Sequence, residues 1–294
     1  MPELVTRGRT LQVNHPLIMA VINATPDSFS DAGEFTTLEA RMQRAREVVA
    51  AGADILDVGG QSAITGVPEI SEQEEIDRIS PVIEWIAANT SVLISVDTYR
   101  PLVAQAALKS GAHIINDISG LLYEELADVV ASYGAGYVLM HNRGRPKVRL
   151  TDADLYDNVV TDVISFLQDK LGVLASHSVT AANVILDPGP DFSKTPSQTV
   201  DVLRALDQIT ALGRPVLLPV SRKDFIGAIT QRPPRERLSG TLAAIAHTLT
   251  VTRCGIYRVH DIGEVRDFLD VWDVMQGHAD IQASALLDPS LWRS

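Results

Sequence analysis

Short, continuous apolar runs alternate with longer helix-like stretches along most of the chain. Eight runs of this kind occur, at 17–23, 53–60, 92–98, 112–120, 135–141, 183–189, 214–221 and 256–261. Five of them follow a glycine that ends the preceding helical stretch, where a left-handed residue is common. Apolar runs without alternation are typical of strands in a parallel sheet that is covered on both faces.

Helical periodicity fills the segments between these runs. Two helices are predicted over 38–50 (LEARMQRAREVVA) and 74–88 (EEIDRISPVIEWIAA). Their starts carry capping-box spacings, Thr36 with Glu39 and Ser71 with Glu74. Pro81 lies inside the second helix and predicts a kink or a division into two segments.

Eight strands that alternate with helices predict an α/β fold of the (β/α)8 TIM-barrel type. We assign 17–275 to a single barrel domain, 1–16 to an N-terminal strap or short hairpin, and 276–294 to a C-terminal tail. The competing fold on the same pattern is a doubly wound open sheet.

A polar or charged residue stands at the carboxyl end of each predicted strand. These residues are Asn23, Asp57, Asp97, Asn116 with Asp117, His141, Asp187, Ser221 to Lys223, and Arg258 with His260. An unpaired polar group on a core strand costs several kcal/mol, so packing does not account for all of them. Strand ends of a barrel meet on one face, where barrel enzymes have their active sites. The polar run 23–33 (NATPDSFSDAG) is then the first loop of that face.

Several of these residues have a structural interpretation beside the functional one. Asp57 precedes Gly59 and Gly60 and either braces that turn or belongs to the site. We expect Asp117 to cap the next element while Asn116 points inward. His141 fits a wall residue as well as a functional one.

Acids and amides on one side of the predicted mouth face a cationic group on the other. Asp97 and Asp187 are isolated acids behind apolar strands, whereas Ser221 to Lys223, Arg258 and His260 supply positive charge. Carboxylates and asparagine pair with ring N–H donors, and cations hold phosphate. The combination suits a polar heterocycle that carries an anionic group.

Composition narrows the class of protein further. The formal net charge of −12 disfavours a nucleic-acid binder. A single cysteine, Cys254, excludes a disulfide framework or a thiol zinc site and fits a reducing cytoplasm. No run reaches the length of a signal-peptide core or a membrane helix, so we expect a cytoplasmic protein with no membrane partner.

Along the predicted barrel these motifs resemble the signatures of the dihydropteroate synthase family. The matches in chain order are NATPDSFSDAG (23–33), DVGGQS (57–62), SVDT (95–98), NDISG (116–120), MH (140–141), DPG (187–189) with Phe192 and Lys194, SRKDFIG (221–227), and RVHD (258–261). The ordered set, with each motif on its expected strand, is far more specific than any single match.

The resemblance implies the condensation of 6-hydroxymethyl-7,8-dihydropterin diphosphate with 4-aminobenzoate to 7,8-dihydropteroate and pyrophosphate, in folate biosynthesis. It assigns catalytic roles to Asp97, Lys223, Arg258 and His260. It assigns substrate contacts to Asn116, Asp187, Met140, Phe192, Ser62, Ser221 and Arg222. Mg²⁺ is implied near Asn23, and a homodimer through the last helices.

The second loop departs from the family pattern. Where the family commonly reads GGESTRPG, this chain reads GGQSAITG, so that Gln61, Ala63, Ile64 and Thr65 replace family residues. Asp191 replaces a glycine before Phe192, and Pro219 replaces a glycine before the SRK segment. The cation-rich loop 141–147 (HNRGRPK) is either a solvated loop or a site that binds a carboxylate and so compensates for the altered second loop.

Three functions follow from these observations. The first is an active synthase, and the second is a synthase-like paralogue that binds a pterin without this condensation. The third is a corrinoid-type pterin-binding methyltransferase domain. The TPDSFSDAG loop, the SRK segment and the RVH segment weigh against the third, because methyl transfer needs no diphosphate clamp.

Overall fold

Eight parallel strands close into a barrel in the computed structural model, which describes residues 2–24, 37–61, 68–148, 150, 152–281, 286–288 and 290. The barrel strands are β3 (Leu17–Asn23), β4 (Ile55–Gly59), β5 (Leu93–Asp97), β6 (Ile114–Asp117), β7 (Gly136–Met140), β8 (Val184–Asp187), β9 (Val216–Leu218) and β10 (Gly255–Val259). Each pairs with the next strand in chain order, and β10 pairs with β3 to close the ring. The prediction of a (β/α)8 barrel is confirmed, and the open sheet was wrong.

Helices cover the outside of the ring. They are α1 (Leu38–Ala50), α2 (Glu72–Asn89), α3 (Pro101–Ser110), α4 (Glu125–Tyr133), α5 (Val159–Ser176), α6 (Pro196–Arg204), α7 (Leu206–Thr210), α8 (Asp224–Thr230), α9 (Leu238–Leu249) and α10 (Ile262–Met275). No helix within the described ranges is long and apolar enough to cross a membrane.

The predicted helix starts agree with the structure to within one or two residues. Thr36 lies outside the described residues, and the side chain of its neighbour Thr37 caps α1 by accepting from the Ala40 N–H. Ser71 caps α2 as predicted. Pro81 does not divide α2, which runs through it as one helix.

Alternate residues of each strand point into the barrel, and their chemistry changes along the axis. At the amino end the inward residues are apolar, and Leu17, Met19, Ile55, Ile114, Val138, Ile185, Leu217 and Ile256 form one buried cluster. A separate, larger cluster lies between the strands and the helices. Two residues further along four of these strands, the inward positions are the polar Asp57, Asn116, Asp187 and Arg258, so polar groups line the carboxyl end of the described barrel interior.

The N-terminal hairpin closes the other end of the barrel. Its strands β1 (Glu3–Thr6) and β2 (Arg9–Gln12) pair antiparallel, and Leu4 is fully buried in the apolar cluster at the amino end of the barrel. Arg7 donates to the carbonyls of Leu108 and Ala112 at 2.9 and 2.8 Å, so it caps the end of α3. The carboxyl end is therefore the face at which the described barrel leaves its polar groups open to ligands.

Candidate active site

A cluster of two acids, an amide and an arginine occupies the centre of the mouth, and Asp57 and Asn116 within it are buried. Asp57 is 0% exposed, and its Oδ2 accepts from Arg258 Nε at 2.7 Å and from Asn116 Nδ2 at 3.1 Å. Arg258 Nη2 donates to Asp97 Oδ2 at 3.2 Å. Three residues predicted for the site, Asp97, Asn116 and Arg258, are thus brought together from three strands.

The charges of this cluster are unevenly balanced. Burial raises the pKa of Asp97 to about 7, with Arg258 opposing the rise and Asp57 adding to it. Burial also opposes the charge on Arg258, but Asp57 and Asp97 outweigh it and raise its pKa further. Arg258 therefore stays charged, and Asp97 is the group whose proton can leave near neutral pH.

A second part of the site lies across the mouth, on the ends of β7 to β9. Asp187 pairs in register with Met140, and its Oδ1 accepts from the Gly189 N–H at 2.7 Å. Burial raises the pKa of Asp187 to about 6, against the effects of that hydrogen bond and of nearby cations. Met140 packs with Tyr99, Ile118 and Phe192 in a small apolar cluster at the mouth.

Lys223 faces this apolar cluster. Its Nζ lies 4.6 Å from the centroid of the Phe192 ring, within the range of a cation–π contact. Burial lowers the pKa of Lys223, and the carboxylates of Asp191 and Asp187 oppose that decrease. An aromatic face with a cation above it is a surface on which a flat heterocycle can stack.

His260 and Ser221 form a hydrogen-bonded pair beside Arg258. Ser221 Oγ and the ring Nδ1 of His260 are 3.0 Å apart, and the backbone N–H of His260 also donates to Ser221 Oγ at 3.3 Å. Burial, followed by the charges of Arg258 and Arg222, lowers the pKa of His260 to about 4. This favours an uncharged, hydrogen-bonding ring near neutral pH, whereas the sequence analysis counted His260 among the positive charges of the mouth.

The remaining predicted residues divide between described and undescribed parts of the chain. The Arg222 guanidinium binds the Asp261 carboxylate through two hydrogen bonds. Asn23 ends β3 opposite Gly59, and Gly59 lies opposite Asp97. Ser62 and the substituted positions 63–65 lie outside the described residues.

Two contributors to this face were given no definite role from the sequence. Asp57 was interpreted as a turn residue or a site residue with equal weight, and the structure makes it the acceptor that joins Arg258 to Asn116. Lys194 is 4% exposed and donates to His141 Nδ1 at 2.8 Å and to the carbonyls of Gly189 and Phe192 at 3.0 and 3.1 Å. Asp117 has the structural role expected of it, since it accepts from the N–H groups of Ser119 and Leu121.

The cation-rich loop 141–147 is tied to neighbouring loops. Arg143 pairs with Asp162 on α5, and His141 Nε2 lies 2.8 Å from the same carboxylate. Lys147 donates to Gln61 Oε1 at 2.8 Å and to the Pro68 carbonyl at 3.2 Å. Lys147 thus holds both described ends of the altered second loop.

Comparison with known proteins places this arrangement in a family. The profile of the family described as pterin binding enzyme matches residues 19–260. The dihydropteroate synthase of Bacillus subtilis is 40% identical over 261 residues, which cover 88% of each chain. That of Clostridium beijerinckii is 38% identical over 248 residues, 84% of this chain and 89% of its own.

Solved structures agree with the sequence relatives. The Yersinia pestis dihydropteroate synthase, in a complex with a sulfonamide drug, superposes with a TM-score of 0.87 at 33% identity, covering 94% of this chain and 100% of its own. The Xanthomonas albilineans enzyme with 4-aminobenzoic acid gives 0.85 at 37% identity, covering 94% and 98%. These relatives are synthases, so the methyltransferase and binding-only interpretations are not favoured. The chain belongs to the dihydropteroate synthase family of pterin-binding enzymes, which are transferases.

Proposed function

We propose that this chain condenses 6-hydroxymethyl-7,8-dihydropterin diphosphate with 4-aminobenzoate, releasing pyrophosphate, as a dihydropteroate synthase of folate biosynthesis. The observation that carries the proposal is the single mouth at which Asp97, Asn116 and Asp187 face Lys223 and Arg258. A cytoplasmic location, in which Cys254 remains a free thiol, is part of the same proposal.

The pterin ring binds against the acids and the amide. Asp97, Asn116 and Asp187 accept from or donate to its ring nitrogens and amino group, and Met140 and Phe192 contact its faces. Asp187 is buried and Asp97 is partly buried, and their raised pKa values of about 6 and about 7 let both lose protons near neutral pH. Their carboxylate forms then supply negative charge where positive charge develops on the pterin methylene as the diphosphate departs.

The diphosphate leaves toward the cationic side of the mouth. Arg258 supplies a planar fork of N–H donors that matches phosphate oxygens, and His260 donates from a neutral ring paired with Ser221. Lys223 lies where the pterin and the incoming amine meet, and Ser221 and Arg222 line the second substrate's side. The arylamine is itself the nucleophile, so positioning supplies much of the rate.

Mg²⁺ fits this chemistry with Asn23 as a protein ligand. Across the described ranges no three His, Cys, Asp or Glu side chains form a cluster able to hold a metal ion. Mg²⁺ commonly takes one or two protein oxygens together with substrate phosphates and water, which matches a single amide oxygen at the end of β3. When bound, the ion would neutralise charge on the leaving diphosphate.

A turnover assay tests the proposed reaction. Purified protein given the pterin diphosphate, Mg²⁺ and 4-aminobenzoate should release one pyrophosphate per dihydropteroate formed, and release should stop when 4-aminobenzoate is omitted. Retained binding of the pterin diphosphate by calorimetry without any turnover would instead identify a pterin-binding paralogue.

We also propose that two copies associate through an apolar groove between α6, α8 and α9. The groove has a volume of about 300 Å³, and its lining includes Leu203, Phe225, Ile226 and Ile229. Ile229 is 69% exposed in the single chain, although isoleucine is among the most often buried residues. The family resemblance implies a homodimer through the last helices, and a second copy of the chain that contacts α9 would cover this groove.

Sedimentation velocity tests the association. The chain has a mass of 31.8 kDa, and we expect a species of twice that mass at micromolar concentration. Ile229→Glu should shift the protein to the monomer because it places a charge in the apolar contact. Ile281→Glu is the control, since Ile281 is 72% exposed and lies outside the groove. A monomeric parent protein would contradict the proposal.

A further inference from the structure

Two neighbouring loops carry the aromatic and cationic halves of the stacking surface. The loop after β8 carries Phe192, and the segment before α8 carries Lys223. The 4.6 Å separation between the Lys223 Nζ and the Phe192 ring depends on how these two loops are held relative to each other. That separation matters for function because both substrates are flat and meet at this surface.

Asp191, the residue before Phe192, joins the two loops. Its Oδ2 accepts from the backbone N–H of Asp224, directly after Lys223, at 2.6 Å. Its Oδ1 accepts from Thr199 Oγ1 at 3.1 Å, and its own N–H donates to the same hydroxyl at 3.0 Å. One side chain thus contacts the first residue of α8 and a fully buried threonine of α6.

The backbone at Asp191 adopts a conformation that favours glycine. Its φ is +64°, in the left-handed region that most side chains avoid and that aspartate and asparagine tolerate best among non-glycine residues. A glycine, which the family pattern has here, would adopt this φ at no steric cost. It would also bring no acceptor for the Asp224 N–H, so the aspartate adds a tie between the loops that glycine lacks.

The opposite side of the same loop is fixed by a different residue. Lys194 binds the carbonyls of Gly189 and Phe192 and the ring of His141, which anchors the loop to the end of β7. Gly189 packs tightly there, since a Cβ on it would lie 2.2 Å from the His141 carbonyl oxygen. With Lys194 holding the β7 side, Asp191 is placed to set the distance to the β9 side.

We propose that Asp191 is a positioning residue that couples the β8 loop to the Lys223 segment and sets the spacing of Phe192 and Lys223 on which the substrates stack. The inference rests on the proposed function for its meaning in catalysis. Its geometric content, the spacing of the two side chains, can be tested without turnover.

The experiment compares Asp191→Gly with Asp191→Asn. Glycine keeps the backbone conformation and removes both acceptors, whereas asparagine keeps the conformation and one oxygen acceptor. We expect Asp191→Gly to weaken pterin diphosphate binding about tenfold by calorimetry, the effect of losing one to two hydrogen bonds to a charged group. Asp191→Asn should stay within about twofold of the parent affinity, because the bond from Asp224 can re-form.

Two further variants separate positioning from charge and from folding. Thr199→Val removes the hydroxyl that orients the Asp191 carboxylate and should weaken binding by about threefold. Asp201→Asn removes the same charge from an exposed site on α6 and should leave affinity unchanged. Crystal structures of the variants should show the separation of Lys223 and Phe192 lengthened in Asp191→Gly and kept in Asp191→Asn.

Unchanged affinity and unchanged spacing in Asp191→Gly would overturn the proposal, as would an Asp191→Asn variant as impaired as the glycine variant. A failure of the proposed function is a separate result. The pyrophosphate assay of the parent protein tests the proposed function. The separation of Lys223 and Phe192 in the crystal structures tests the positioning role of Asp191, whether or not the parent protein turns over.

Discussion

Replacing Arg258 by methionine should abolish measurable turnover and lower the free energy of unfolding by about 3 kcal/mol. The guanidinium is the cation that contacts both Asp57 and Asp97. Methionine fills a similar volume but leaves the fully buried Asp57 without a positive partner, and an uncompensated buried charge costs several kcal/mol. Urea denaturation monitored by circular dichroism gives the stability, and pyrophosphate release gives the activity.

Two matched variants sharpen this prediction. Arg253→Met breaks the 3.1 Å ion pair between Arg253 and Asp273. Both side chains of this pair are about as exposed as that of Arg258, but the pair lies away from the mouth. The substitution should cost about 1 kcal/mol or less and leave turnover intact, because Asp273 remains partly solvated. Adding Asp57→Asn to Arg258→Met should restore part of the lost stability, since it removes the stranded charge.

An Arg258→Met variant as stable as Arg253→Met would contradict this account of the cluster. It would mean that Asp57 does not depend on Arg258 for its charge. The loss of turnover would then have to come from the diphosphate contact alone.

The fold was predictable because its signals are local. Each barrel strand is an apolar run of three to seven residues, and the glycines before the runs mark the helix ends that the structure shows at Gly111 and Gly134. The start of α1 was misplaced by one residue because Thr36 and Thr37 are adjacent threonines. Periodicity alone does not distinguish two capping residues of the same type.

The site was predictable as a list of strand ends but less so as a set of partners. Asp57 and Arg258 are separated by 201 positions, and their 2.7 Å contact exists only because the barrel closes β10 onto β3, the neighbour of β4. A signal was nevertheless present, since Asp57 stands two residues after Ile55. That spacing puts the Asp57 side chain on the same inward face as Ile55 and the apolar cluster at the amino end of the barrel.

The protonation states of the site required the structure. His260 reads as a cation in the sequence beside Arg258, but burial next to that arginine makes it neutral near pH 7. Lys194 was assigned only to a family motif, and its burial lowers its pKa to about 7. Both outcomes depend on which charges lie nearby in space, and the order of residues along the chain does not contain that information.

Binding of a neutral pterin should strengthen as the pH rises to about 7 and then level off. Asp97 accepts from the ring only as a carboxylate, and burial raises its pKa to about 7, so below that pH a proton must leave before the ring binds. Affinity should therefore increase about fivefold between pH 6 and pH 7, about twofold more between pH 7 and pH 8, and little between pH 8 and pH 9. Asp187, with a pKa raised to about 6, should make the dependence steeper below pH 6.

The measurement is calorimetry with 6-hydroxymethylpterin, which has no phosphate that titrates in this range. Asp97→Asn keeps the shape of the side chain and removes its titration, so its affinity should be about a hundredfold weaker at pH 8 and nearly flat between pH 6 and pH 8.

Stability supplies an independent check with the opposite sign. Because the pKa of Asp97 is higher in the folded state than in the unfolded chain, its contribution to the free energy of unfolding decreases as the pH rises from about 4 to about 7. Asp97→Asn should abolish that decrease, and a parent protein whose pterin affinity is constant from pH 6 to pH 8 would show that Arg258 keeps Asp97 ionised throughout.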